Sequence, residues 1–167
     1  FHPQGQLEHD LPLVNHLAAD RTEAGSLKTA VTDISPAACP PVLIIDDNQT
    51  FLAVLKRFFQ KRGIEVSDYN SSEQALADLQ SGKVRPDVVV CDLHMPGITG
   101  IQIVKEIRAK NDLLGISIIV LTSDDDIESE VRAISSGADA YVYKHVDSRI
   151  LFAHVERFLK RTLVVAA

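Results

Sequence analysis

Val42-Leu43-Ile44-Ile45-Asp46-Asp47-Asn48 sets four consecutive apolar residues directly against two carboxylates. A wholly apolar tetrapeptide suits a strand covered on both faces, which is the habit of parallel sheets. The acidic pair then stands at the carboxyl end of that strand. Working outward, the same design recurs: Val88-Val89-Val90-Cys91 runs into Asp92, Ile116-Ser117-Ile118-Ile119-Val120-Leu121 into Thr122, and Ala140-Tyr141-Val142-Tyr143 into Lys144. Glu65-Val66-Ser67-Asp68 alternates in polarity, as an edge strand does.

Between these strands the apolar period lengthens to that of helices. Phe51, Leu52, Leu55, Phe58 and Phe59 mark one apolar face, stopped by Gly63. Ser71 and Gln74 have the spacing of a capping box ahead of Ala75, Leu76 and Leu79, with Gly82 as the stop. Ile101, Val104 and Ile107 mark a third helix. Ile127, Val131 and Ile134 mark a fourth, closed by Gly137. Asp147 caps a fifth that carries Leu151, Val155, Phe158 and Leu159 and ends near Arg161. Strand and helix alternate throughout, and right-handed crossovers then make an α/β domain with a doubly wound, five-stranded parallel sheet and five helices.

Composition narrows the setting. The 167 residues carry a net charge of −6, with 46% hydrophobic and 24% charged residues. That is enough chain for one domain with a real core plus an appendage. The acidic balance argues against a nucleic-acid surface, because phosphate binding needs clustered Lys and Arg. No apolar run approaches the roughly 18 residues of a membrane span, and Phe1-His2-Pro3-Gln4 does not open a signal peptide. Cys39 and Cys91 form neither a disulfide framework nor a metal spacing, which fits a reducing, cytoplasmic setting.

Residues 1–40 read as an extension or linker, 41–161 as the domain, and 162–167 as a tail. Within the extension, Leu13, Leu17, Ala24, Leu27, Val31 and Ile34 fall near a 3.5-residue spacing, so part of it can be helical. Asp20 and Gly25-Ser26 interrupt that stripe, and Ser35-Pro36-Ala37-Ala38-Cys39-Pro40-Pro41 reads as linker. His2, His9 and His16 share no ligand spacing. Forty residues cannot hold a four-helix phosphotransfer domain, which leaves little room for a phosphotransfer histidine at His16.

In open α/β sheets the ligand site lies at the carboxyl ends of the strands, near the point where strand order reverses. Four strands here deliver Asp46, Asp47, Asp92, Thr122 and Lys144 to one rim. Taken singly, each has a plain structural reading. Asp46-Asp47 suits a turn or a cap, Asp92 starts a turn before Met95-Pro96-Gly97, Thr122 caps a helix, and Lys144 is a solvated charge. Taken together, three carboxylates favour a hard divalent cation, with Mg²⁺ the natural choice. A carboxylate can also act as a nucleophile and form an aspartyl phosphate, aided by a metal ion and a Lys.

Val42-Leu43-Ile44-Ile45-Asp46-Asp47-Asn48, Asp92-Leu93-His94-Met95-Pro96-Gly97, Leu121-Thr122-Ser123 and Gly137-Ala138-Asp139-Ala140-Tyr141-Val142-Tyr143-Lys144 resemble the signature segments of response-regulator receiver domains, in order and spacing. The resemblance covers residues 41–161 and implies the flavodoxin-like receiver fold, with strand order 2-1-3-4-5. It implies that Asp92 accepts a phosphoryl group from a phosphohistidine of a histidine kinase or a histidine phosphotransfer protein. It implies Mg²⁺ held by Asp47 and Asp92 and by the backbone carbonyl of His94, with Asp46 assisting through water. Lys144 would contact the phosphoryl group, Thr122 would move to bond it, and Tyr141 would swing inward as Thr122 moves. His94 and Asp124 would flank the path of the attacking water and tune the phosphoryl lifetime. The fourth helix, fifth strand and fifth helix would form the face for a downstream protein partner, and that face could also pair two copies of the chain.

Three positions depart from the family pattern. His145 stands where Pro is usual, Ser123 where Ala or Gly is common, and Ala140 where one large subfamily has an Asp used in dimer salt bridges. A cis bond before a non-proline residue costs about 2.5–4 kcal/mol, so the Lys144–His145 bond is expected to be trans. The expected role is a signalling switch and not an enzyme. A phosphatase built on an Asp nucleophile would carry a second Asp at position 94, where this chain has His94. A receiver kept only for docking would not need the full set of Asp46, Asp47, Asp92, Thr122 and Lys144. With nothing sizeable after the last helix, the chain reads as a single-domain regulator, the receiver end of a hybrid kinase, or a trimmed piece of a longer protein.

Overall fold

Val42, Leu43, Ile44 and Ile45 are all buried, as a strand covered on both faces requires. In the computed structural model, which describes residues 39–166, they form β1 (Val42–Ile45). The chain continues through α1 (Gln49–Gln60), β2 (Val66–Tyr69), α2 (Ser72–Ser81), β3 (Val88–Asp92) and α3 (Gly100–Arg108). A short 3₁₀ turn at Asn111–Leu113 leads to β4 (Ser117–Thr122), α4 (Ile127–Ser135), β5 (Ala140–Tyr143) and α5 (Ser148–Ala166). The strands are parallel in the order β2-β1-β3-β4-β5, as expected from the sequence.

Side chains alternate across each strand and build two apolar layers. Leu43, Ile45, Val89, Cys91, Ile118 and Val120 face α2, α3 and α4, where Leu79, Ile103, Ile107 and Ala133 meet them. Val42, Ile44, Val88, Val90, Ile119 and Leu121 face α1 and α5, where Leu52, Leu55, Phe59, Leu151, Val155 and Phe158 close the other side. Phe59 keeps no exposed surface, and its burial contributes roughly 1.5–3 kcal/mol. Cys91 belongs to the first layer as a small hydrophobe, and burial pushes its thiol up to about 12, which keeps it protonated.

Several local expectations need correction. Ser71 does cap α2 by accepting the Gln74 amide, but the Gln74 side chain turns to Asp78 and leaves the box half made. The complete capping box is at Thr99 and Gln102, opening α3. The apolar stripe of α4 does not face the sheet. Ser129 and Ala133 are buried there, while Ile127, Val131 and Ile134 remain 72%, 57% and 46% exposed. The fifth helix runs through Ala166, past the expected end near Arg161. The expected helical stripe within residues 1–38, and His2, His9 and His16, lie outside the described residues.

Two glycines bring backbone close to the acidic rim. A Cβ on Gly100 would stand 2.3 Å from the Asp92 carbonyl oxygen, so only glycine lets α3 begin against the end of β3. Gly97 turns the preceding loop at φ +79°, and a Cβ there would strike the Glu73 carboxylate.

Candidate functional site

α1 and α3 leave the sheet on opposite faces from neighbouring strands β1 and β3, and the parting opens a crevice at the strand ends. Ile45 is level with Cys91, so Asp46 and Asp92 emerge side by side. Asp92 is level with Leu121, and Thr122 with Tyr143, which brings Lys144 to the same rim. The Lys144 amide donates to the Thr122 carbonyl at 2.6 Å and extends the ladder one step past the strands.

Asp46 is buried and fully engaged. One carboxylate oxygen accepts the Asn48 amide at 2.9 Å, and the other accepts the Lys144 ammonium at 2.6 Å. Asp92 is also buried, 3.3 Å from the same ammonium, and Asp47 is exposed. One oxygen from each of the three carboxylates falls within 4.8 Å of the others. Burial first, and the Asp46 charge second, push the Asp92 carboxyl above its ordinary range, while Lys144 pulls it partly back. Such a cluster is an anionic trap short of positive charge. Oxygens facing each other across Mg²⁺ stand about 4.2 Å apart, so small side-chain rotations fit these hard donors to that ion.

Thr122 is fully buried, and its hydroxyl accepts the Asp124 amide at 3.1 Å. The Tyr141 hydroxyl is buried too, and among the described residues it is the buried side-chain polar atom left without a hydrogen bond. Burial, then the nearby Asp124 charge, raise its pKa. The Thr122 hydroxyl is close enough to ease that rise, yet the geometry falls short of a hydrogen bond. The Tyr141 ring packs inward against the layer under α3 and α4.

His94 and Asp124, expected to flank the same path, are in contact: His94 Nε2 lies 3.0 Å from Asp124 Oδ2. That hydrogen bond, and then the Asp126 amide, hold Asp124 below its ordinary carboxylate range. His145 points elsewhere, against the Tyr143 ring and 3.8 Å from Asp125. No cis peptide bond occurs among the described residues, so the Lys144–His145 bond is trans. One neighbour of the site escaped the sequence reading: the Phe51 ring, 4.6 Å from the Lys144 ammonium. Its position in the first turn after Asn48 was the available signal. Among the described residues a cavity of about 690 Å³ opens at the amino ends of the strands beside Arg85, Asp87 and Arg108 and touches none of these groups.

The family profile described as the response regulator receiver domain matches residues 42–156. The chain belongs to the response regulator receiver domains. This receiver is 33% identical over 123 residues to the putative two-component response regulator ARR19 of Arabidopsis thaliana, covering 74% of this chain and 30% of that protein. It is 34% identical to the transcriptional regulatory protein AfsQ1 of Streptomyces coelicolor, covering 73% of this chain and 52% of that one. The receiver therefore spans about a third to a half of the curated relatives it matches. Among solved structures it resembles the receiver domain of the Francisella response regulator 1452, with a TM-score of 0.66 at 29% identity, covering 74% of this chain and 98% of that one. It also resembles the signal receiver domain of a histidine kinase from Syntrophus aciditrophicus, with a TM-score of 0.66 at 28% identity, covering 71% and 89%. The chain is thus a signalling domain of the two-component type. Among its described residues no helix is long and apolar enough to cross a membrane.

Proposed function

We propose that Asp92 accepts a phosphoryl group from a phosphohistidine of a histidine kinase or phosphotransfer protein. The observation that carries this is the convergence of Asp46, Asp47, Asp92 and Lys144 at the switch point of the sheet, with Asp92 buried at the end of β3. An Asp92 carboxylate oxygen would attack phosphorus as the bond to the imidazole nitrogen breaks; that nitrogen would keep the electron pair, and the ring would leave neutral because its other nitrogen already carries a proton. Asp47, Asp92 and the His94 carbonyl would hold Mg²⁺, with Asp46 acting through water because its own oxygens are taken by Asn48 and Lys144. Mg²⁺ would supply neutralisation of the phosphoryl charge. Lys144 would swing from Asp46 toward a phosphoryl oxygen while keeping contact with Asp92.

The switch follows from local accounting of polar atoms. Thr122 would give up the Asp124 amide and turn its hydroxyl to the phosphoryl group, which frees the space beside the unpartnered Tyr141 hydroxyl. The exposed Ile127, Val131 and Ile134 form an apolar stripe on α4 that would suit a downstream protein, and Ile150 on α5 is exposed as well. Relatives of this receiver include proteins named DNA-binding response regulators, and the partner proposed for the receiver itself is a protein. We place the domain in the cytoplasm, where histidine kinases present their phosphoryl groups. The test is intact mass before and after acetyl phosphate. One added phosphoryl group is expected with Mg²⁺, and none in excess chelator or in Asp92→Asn. Undiminished labelling under either condition refutes the assignment.

A further inference from the structure

The Lys144 ammonium has three N–H donors and two carboxylate neighbours, Asp46 at 2.6 Å and Asp92 at 3.3 Å. Its third neighbour is a ring face: Nζ lies 4.6 Å from the centroid of Phe51. Phe51 stands in the first turn of α1, and its amide donates to the side chain of the N-cap Asn48 at 3.1 Å. Asn48 in turn donates its own amide to Asp46. Asp46, the cap and Phe51 are therefore one rigid turn that grips the ammonium from two sides. The ring is seated against the apolar layer of α1 and α5, and Phe51, Leu55, Leu121, Val142, Leu151 and Lys144 together bound a small space of about 20 Å³. Lys144 otherwise has only its backbone bond to Thr122 to aim it, because the following residue, His145, turns to Tyr143 and Asp125.

We propose that Phe51 is a positioning residue for Lys144, holding the ammonium at the phosphoryl-accepting carboxylate while its anionic partners change charge. The inference rests on the reading of Asp92 as phosphoacceptor. The two carboxylates are unsteady partners. A divalent cation competes with the ammonium for the same oxygens, and phosphorylation removes one of them from Asp92. The Phe51 face is neutral, is no ligand for a hard cation, and attracts the ammonium whichever way its N–H groups point. It can keep the head group in place as those groups turn toward a phosphoryl oxygen.

Phe51→Leu keeps an apolar side chain and removes the ring, so labelling by acetyl phosphate with saturating Mg²⁺ should slow roughly three- to tenfold. Mg²⁺ affinity and the melting temperature should barely change, and Phe51→Tyr, which restores the face, should label near the wild-type rate. In a Lys144→Ala background the same Phe51→Leu change should alter the rate by less than about twofold, as expected for residues acting as one unit. Wild-type labelling rates in Phe51→Leu, failure of Phe51→Tyr to restore the rate, or an undiminished effect without Lys144 would each overturn the proposal. A second readout needs no phosphorylation: the Lys144 ε-methylene protons should be shifted upfield by the ring in NMR spectra of the unphosphorylated protein and return toward ordinary values in Phe51→Leu. Ordinary shifts in the wild type refute the contact itself. A ring shift in a wild type that takes no phosphoryl group refutes the phosphoacceptor reading instead, and with it the proposed role of the contact.

Discussion

Replacing Asp92 by Asn should make the metal-free protein more stable at neutral pH, although it removes the proposed centre of function. The carboxylate oxygens of Asp46, Asp47 and Asp92 lie within 4.8 Å of one another. At that separation and an effective dielectric near 20, two unit charges repel by about 3.5 kcal/mol. Lys144, at 3.3 Å, returns about 5 kcal/mol on the same scale, but it is shared with Asp46 at 2.6 Å. Asp47 is exposed and its share is screened. Burial of Asp92 adds a desolvation penalty, and the balance is a raised Asp92 pKa. Because the folded pKa is raised, ionised Asp92 opposes folding. That opposition is absent below the unfolded-state pKa, grows as pH rises through the window up to the folded pKa, and is complete above it. Asn keeps an oxygen for Lys144 and sheds the charge, so a gain of about 1–2 kcal/mol is expected. For a domain of this size that is about 3–10 °C in Tm. The assay is thermal unfolding by circular dichroism in excess chelator, from about pH 4, near the ordinary carboxylate range, to about pH 8. The gap between variant and wild type should widen with rising pH and shrink when Mg²⁺ is added, since the ion stabilises only the intact acidic set. A variant less stable than wild type in chelator at pH 7.5 would refute the charge argument.

Tyr141→Phe removes a buried hydroxyl that has no partner and should leave stability unchanged or raise it by up to about 1 kcal/mol, measured by urea unfolding. Thr122→Ala should still take the phosphoryl group but fail to change conformation on labelling. Amide NMR shifts around Tyr141 that move as in the wild type would argue against the coupling. His94→Ala and Asp124→Ala each break the 3.0 Å contact beside the site, so both should change the phosphoryl lifetime in the same direction. Decay of labelled protein followed by mass spectrometry checks this, and three equal lifetimes would count against it. Gly100→Ala forces a Cβ to 2.3 Å from the Asp92 carbonyl and should destabilise the fold by about 1–3 kcal/mol in chemical denaturation.

The parallel sheet was legible because burial on both faces leaves no polar residue inside Val42–Ile45 or Val88–Cys91. The rim was legible because a strand that ends in a charged or hydroxyl residue must deliver that residue to the edge of the sheet. Local hydrogen bonding was harder. Ser71 and Gln74 have the spacing of a capping box, but Asp78 accepts the Gln74 side-chain Nε2 and draws that side chain away, and that competitor belongs to a network with Tyr69 from β2. The stripe of α4 shows what a period leaves open. Period alone says that Ile127, Val131 and Ile134 share a face, and not that the face meets the core.

By itself, then, the sequence determined the alternation of strands and helices, the sheet type, and the five residues Asp46, Asp47, Asp92, Thr122 and Lys144 at one rim, because each follows from chain-local pattern. Only the tertiary structure decided how those groups share their contacts. It set Lys144 on Asp46 ahead of Asp92, joined His94 to Asp124, left the Tyr141 hydroxyl without a partner, and laid the Phe51 ring against the ammonium. Those pairings join residues up to 98 positions apart, and their distances depend on how the layers pack, which no local period encodes.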